Sequence, residues 1–216
     1  MFLEMQKETW AGYPMYQQFG TMDIPFYSVT VMLEVTELLR VSQVREISFS
    51  TLCLYSVAQA VNSVEGFRYR VLEDGRVVLH DLVRLAYVIR MPDGRITGVE
   101  AYPYKDFERF CREQREREQE AAASGPQFYR GSDRGVFFFS NVPWLSFTSG
   151  SQPVNIGRRY DSIPRLTIGK YVIDAGGRAL LPFNMHMHHG FVDGFSAGDL
   201  VQAVQNIWSK FCREHS

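Results

Sequence analysis

Hydrophobic and polar residues alternate from Tyr27 to Val35 (YSVTVMLEV), the period of a strand with one buried face. Thr36 to Leu39 then starts a short helix. Between Ser50 and Val64 the apolar residues Leu52, Leu54, Val57, Ala58 and Val61 recur at helical spacing, which predicts a helix packed on a sheet. Two β-rich runs, Phe67 to Leu72 and Arg76 to His80, flank Glu73-Asp74-Gly75. An Asp-Gly turn between such runs predicts a hairpin, because glycine accepts positive φ. Val83 to Met91 is another strand, and Pro92-Asp93-Gly94 turns the chain after it. Lys105 to Ala123 is a charged helix anchored in its first half by Phe107, Phe110 and Cys111. The interleaved signs of its REQRERE portion mark a solvated face. Ser124 to Arg134 reads as a loop.

The remainder is rich in strands. Val136 to Phe139 is an apolar run, with Leu145 to Thr148 as its continuation. Arg165 to Ile173 and Arg178 to His189 are two strands joined at Asp174-Ala175-Gly176-Gly177. Ser196 to Glu214 is an amphipathic helix with Leu200, Val204, Ile207, Trp208 and Phe211 on one face, and Ser196 with Asp199 resembles its capping box. Strands and helices mix without strict βαβ alternation, and no internal repeat or linker divides the chain. The expectation is a single α/β domain over 1–216, a two-layer sandwich of one large mixed β-sheet covered by helices.

Composition narrows the partners. With 216 residues, 45% of them hydrophobic, the chain buries enough surface to fold without a disulfide or metal staple. Its 23 basic and 24 acidic residues leave no global field for nucleic acid. No stretch approaches the length of a membrane span, and the start, MFLEMQKETW, lacks the apolar core of a secretory signal. Cys53, Cys111 and Cys212 are odd in number, far apart and without metal spacing. They fit free thiols, so a cytoplasmic protein is expected.

Candidate chemistry concentrates between Asn184 and Ser196 (NMHMHHGFVDGFS), where a strand runs into a glycine-bearing turn and then a helix. Side chains alternate along a strand, so His186 and His188 share one face and His189 takes the other. A single imidazole at the end of a strand suits a general base. Two other readings stand beside it. The histidines serve as hydrogen-bonded core residues, or His186 and His188 grip a metal ion with Asp193 nearby, although the glutamate of a zincin helix is absent.

His189-Gly-Phe-Val-Asp193-Gly194 matches the His-x-x-x-Asp-Gly motif of chloramphenicol acetyltransferases, and His188-His189 resembles their paired histidines. Four further segments resemble the same family in the same order. They are Phe138 to Ser149 with its Ser-x-x-Pro-Trp-x-Ser-Phe block, the Thr167-Ile-Gly-Lys170-Tyr171 strand, the Glu65-Gly-Phe-Arg68 and Glu73-Asp74-Gly75 hairpin, and the spacing of Trp10, Phe19 and Tyr27. Together they span the chain from about Trp10 to the C-terminal helix.

The resemblance implies a coenzyme-A-dependent acyltransferase fold and acetyl transfer from acetyl-CoA to a small hydroxyl-bearing acceptor such as chloramphenicol, with no metal. It makes His189 the general base, Ser140 the donor to the tetrahedral oxyanion, Thr167 the holder of a water beside it, and Asp193 the residue that steadies the histidine turn. Lys170, Tyr171 and Trp144 fall on the coenzyme side, and Phe19, Pro25, Tyr27 and Phe139 on the acceptor side. The family is trimeric, with His189 expected to face Ser140 and Thr167 of a neighbouring copy. A same-fold enzyme for another acceptor, such as a lipoyl-linked thiol, and a silent ligand-binding homologue are the alternatives. Two positions depart from the family pattern. Where an arginine pairs with the motif aspartate, this chain has Gly12, so Asp193 needs another partner. Pro25 stands where the antibiotic enzymes often have cysteine.

Overall fold

Residues 1–91, 93–129, 131, 134–155 and 161–215 are described by the computed structural model. Alternation decides its central layer. Strands β2 (Phe26–Glu34), β5 (Arg84–Arg90), β6 (Ile96–Ala101), β7 (Val136–Val142), β8 (Arg165–Gly169), β9 (Val172–Ile173) and β10 (Ala179–His188) form one mixed sheet. Its order is β2-β10-β8-β7-β5-β6, with β9 pairing β10 off this path. β10 is antiparallel to β2 and β8, β8 and β5 are parallel to β7, and β6 is antiparallel to β5.

One sheet face carries Leu33, Phe137, Phe139, Leu166, Ile168, Leu181, Phe183, Met185 and Met187 into the main core. Against it pack the helices α2 (Thr36–Val44), α3 (Phe49–Ser63), α4 (Phe107–Ser124) and α5 (Gly194–His215). The apolar stripe of α5, Leu200, Val204, Trp208 and Phe211, is buried as its spacing predicts. Ser48 and Asp106 cap α3 and α4 by accepting from Thr51 N at 3.3 Å and Arg109 N at 2.7 Å. The two-layer α/β sandwich with a large mixed sheet is the architecture observed.

The opposite sheet face carries a polar row beside a small apolar cluster of Ala86, Val136 and Ile163. Ser140 pairs in register with Thr167, and Thr167 with Asn184. Asn184 in turn pairs with Thr30. Farther along the same face come Arg165, His186 and His188. The segment after β7 covers part of this face: Gly150 O accepts from Ser28 Oγ at 2.7 Å and from Asn184 Nδ2 at 3.2 Å.

Several elements differ from the sequence reading. The expected hairpin forms as β3 (Tyr69–Val71) and β4 (Val77–His80), but it joins β1 (Phe2–Glu4) in a separate three-stranded sheet. Leu145 to Thr148 does not continue β7. Pro143 and Trp144 turn the chain, with Leu145 N donating to Val142 O at 3.0 Å, and the segment folds over the end of β8. There Gly169 is required, since a Cβ would lie 2.6 Å from Leu145 O and 2.7 Å from the Phe147 ring. The strand read as Arg165 to Ile173 is interrupted at the same place, because Lys170 N donates to Leu145 O at 2.6 Å. β6 and β1 had no clear periodic signal. Thr36 continues to Val44 as one helix. Tyr13–Met15 (α1) and a wide helical turn at Tyr16–Gly20 precede β2. Pro92 and part of the 124–134 loop lie outside the described residues.

Candidate active site

β10 ends at His188, and the next residue leaves the ladder with its backbone still tied down: His189 N donates to Pro25 O at 2.7 Å. Phe191 N and Val192 N both donate to His188 O at 3.0 Å, so the chain reverses at once. Gly190 permits this reversal against a neighbouring segment, since a Cβ there would lie 2.9 Å from Gly20 Cα. That contact brings up Phe19, whose ring stacks on the His189 imidazole at 4.2 Å and 21°. The Tyr27 ring also meets this imidazole, tilted by 46° at 4.6 Å. The Tyr27 hydroxyl is buried without a partner among the described residues, and burial, with the Asp193 charge second, raises its pKa.

The imidazole orientation carries chemical information. His189 Nδ1 is 3.2 Å from Val192 O. A carbonyl oxygen only accepts, so the hydrogen sits on Nδ1, and Nε2 of the neutral ring keeps its lone pair.

Asp193 has found the partner that Gly12 does not supply. Its carboxylate accepts from Ser196 N at 2.8 Å, and Ala197 N donates to its carbonyl at 3.0 Å. Asp193 is therefore the N-cap of α5, and the Ser196–Asp199 capping box is corrected to an Asp193–Ser196 cap. The backbone N–H of Ser196 holds its pKa below the ordinary carboxylate value. A Cβ on Gly12 would come 2.7 Å from the Trp10 indole, so a side chain at position 12 requires that ring to shift.

His186 and His188 do share a face, and both are buried. Among the described residues none of their ring nitrogens has a hydrogen-bond partner. They pack by stacking instead, His186 on Phe26 at 5.1 Å and His188 on Phe191 at 4.6 Å. Burial pushes the pKa of His188 down to about 4 and lowers that of His186, with Arg165 as the next cause for His186. Among the described residues no group of three or more His, Cys, Asp or Glu is placed to hold a metal ion.

Ser140 and Thr167 sit side by side on the polar sheet face. Thr167 Oγ1 accepts from Gln152 Nε2 at 2.8 Å, whereas the Ser140 hydroxyl makes no hydrogen bond to another described residue. Both belong to the Asn184 row, five residues before His189, which is about 16 Å of extended strand. Within one chain the base and these two hydroxyls do not meet. Phe139 points the other way and is 2% exposed in the main core. Trp144 and Tyr171 are 70% and 37% exposed, and the hydrogen bond from Lys170 N to Leu145 O brings their segments together, with Lys170 also exposed. Three partners escaped the sequence reading: Gln152 on Thr167, the Val192 carbonyl on His189, and the buried Arg165–Asp161 ion pair at 2.7 Å. The last two are close in sequence but lie outside any helix, so no periodic pattern marks them.

By family and fold the protein is an acyltransferase. The chain belongs to the chloramphenicol acetyltransferase family, whose sequence model, described as "CAT: Chloramphenicol acetyltransferase", matches residues 1–205. A chloramphenicol acetyltransferase of Proteus mirabilis is 28% identical over 206 residues, covering 94% of this chain and 93% of the relative. One of Staphylococcus aureus is 24% identical over 218 residues, covering 95% of each. A solved chloramphenicol acetyltransferase superposes with a TM-score of 0.84 at 27% identity, covering 96% of this chain and all of that one. The Azotobacter vinelandii dihydrolipoamide acetyltransferase shares the fold, with a TM-score of 0.64 at 16% identity and coverage of 93% and 87%. Membership in this family implies acetyl-CoA as co-substrate. No helix among the described residues is long and apolar enough to cross a membrane.

Proposed function

We propose that the protein is an acetyl-CoA-dependent O-acetyltransferase acting on a small hydroxyl-bearing acceptor, chloramphenicol being the named candidate, with His189 as general base. The observation that carries this is the Nδ1 contact to Val192 O, which leaves Nε2 as the basic atom of a ring in contact with Phe19 and Tyr27. His189 Nε2 takes the hydroxyl proton of the acceptor while that oxygen bonds to the thioester carbonyl carbon. Ser140 then donates to the oxyanion. On collapse the carbon–sulfur bond breaks, and the imidazolium returns its proton to the sulfur, releasing CoA thiol and the acetyl ester. No acyl-enzyme forms on the protein.

An exposed Trp144 and Tyr171 with Lys170 beside them suit an adenine ring and a phosphate, which supports that side for the coenzyme. The separation of His189 from Ser140 and Thr167 supports a site completed by a second copy, as in a homotrimer working in the cytoplasm.

His189→Ala tests the reading by CoA-thiol release with acetyl-CoA and an acceptor panel. Turnover should fall by about 10²- to 10⁴-fold. Wild-type turnover in this variant overturns the proposal. Turnover should also fall as the protein is diluted below its assembly concentration, and a monomer working at the full rate removes the shared site.

A further inference from the structure

We propose that Tyr69 is a positioning residue for the general base, acting on His189 through Phe191; this rests on the acetyl-transfer reading above. The His189 ring takes its orientation from the Val192 carbonyl, and Val192 directly follows Phe191. Whatever fixes Phe191 therefore fixes the acceptor of the Nδ1 hydrogen. One distant segment, the helical turn Glu65–Arg68 with Tyr69 after it, meets Phe191 in two places. The Tyr69 ring stacks on the Phe191 ring at 5.5 Å and 25°. Gly66 lies against the Phe191 backbone, since a Cβ there would come 2.7 Å from Phe191 O. The N–H of that same peptide is held too, with Val192 N donating to His188 O at 3.0 Å.

The hydroxyl gives the Tyr69 ring its place. An indole N–H only donates, so Trp10 Nε1 donates to the Tyr69 oxygen at 3.1 Å, and the hydroxyl proton goes to Glu65 Oε1 at 2.5 Å. Burial, with the bond to Glu65 second, raises the Tyr69 pKa to about 12, so this donor is present at neutral pH. Trp10 packs on Phe191 as well, at 6.0 Å, and on Tyr69 at 5.2 Å. Glycine at position 12 belongs to the same arrangement. A Cβ there meets the Trp10 indole at 2.7 Å, and a ring that shifts away carries Nε1 with it. The turn that bears the histidine is thus braced from behind by Tyr69 and Trp10, in the chain that lacks the arginine of the family pattern.

Tyr69→Phe keeps a ring on Phe191 and removes both hydroxyl bonds. Nitrogen-15 NMR of the histidine rings reads the His189 tautomer, and steady-state CoA release reads kcat and KM per folded molecule. The wild-type ring should carry its hydrogen on Nδ1. In the variant that fraction should fall, with kcat lower by about 10- to 10²-fold and KM for acetyl-CoA little changed, as a base displaced by a fraction of an ångström requires. Gly66→Ala, which pushes Phe191 O from the backbone side, should shift the same two readouts and carries the test if Tyr69→Phe does not fold. A wild-type tautomer in the variant, or a wild-type kcat per folded molecule, overturns the proposal. If the wild-type protein releases no CoA with any acceptor, the transfer reading fails instead, and the tautomer alone decides: a shift in Tyr69→Phe upholds the positioning role, and no shift overturns it.

Discussion

The burial of His188 should make the protein acid-sensitive well above the pH at which carboxylates titrate. The residue is 1% exposed, and both ring nitrogens lack hydrogen-bond partners among the described residues. Burial sets its folded pKa at about 4, with Asp161 opposing the shift and Arg70 and His189 adding to it. In the unfolded chain the same ring titrates near ~6.5. The unfolded state therefore binds the extra proton, and stability falls with decreasing pH. The contribution is fully present above ~6.5 and is lost as pH falls toward the folded value, a total of about 3 kcal/mol across the window. Between pH 7 and pH 5 the loss is about 2 kcal/mol, or roughly 4–8 °C in Tm for a chain of this size.

His188→Phe keeps a ring against Phe191 and Phe26 and removes the titrating nitrogens. Urea unfolding of both proteins at pH 7 and pH 5, at one protein concentration, isolates the effect. Wild type should lose about 2 kcal/mol more than the variant. Equal losses would refute the claim that a buried neutral His188 creates the sensitivity.

Three further outcomes follow from named contacts. Asp193→Ala should destabilise the protein by about 1 kcal/mol through loss of the α5 cap, and Asp193→Asn by less, since asparagine still caps; denaturant midpoints check this. The lowered pKa of Asp193 means that its contribution is present above the ordinary carboxylate range and fades as pH falls through its folded value, so the two variants should converge on wild type in acid. Ser140→Ala should lower kcat by about 10²- to 10³-fold with KM for acetyl-CoA little changed, because the uncommitted hydroxyl acts on charge that develops only in the transition state; steady-state kinetics checks it. Gly169→Ala should cost about 1–3 kcal/mol, since its methyl meets the Leu145 carbonyl at 2.6 Å, and thermal unfolding should register the change.

These contacts divide the functional apparatus into two groups. The turn after β10 is held by short-range bonds, His188 O with Phe191 N and Val192 N, and Asp193 with Ser196 N. It is also tied to a distant segment, since His189 N donates to Pro25 O at 2.7 Å. The Ser140 row is assembled from β7, β8, β10 and β2, and depends on the segment after β7 to bring Gln152 over Thr167. Damage to that segment should disturb the hydroxyl row before it disturbs the histidine.

Whatever depends on period and on local turn chemistry was readable from the chain before folding. The alternation of β2 and β10, the apolar stripe of α5, and the isolation of His189 from His186 and His188 all follow from side-chain direction along one element. The short motif from His189 to Gly194 was legible through its resemblance to the family pattern. Tertiary structure alone decided which strands are neighbours, because pairing β7 with β5 and β8, or β10 with β2, joins residues far apart in the chain. It also decided that Leu145 folds onto Gly169 and does not extend a strand. It buries His188 deeply enough to hold it neutral. Hydrogen bonding and desolvation depend on what surrounds a group in space, and that is set only when distant segments come together.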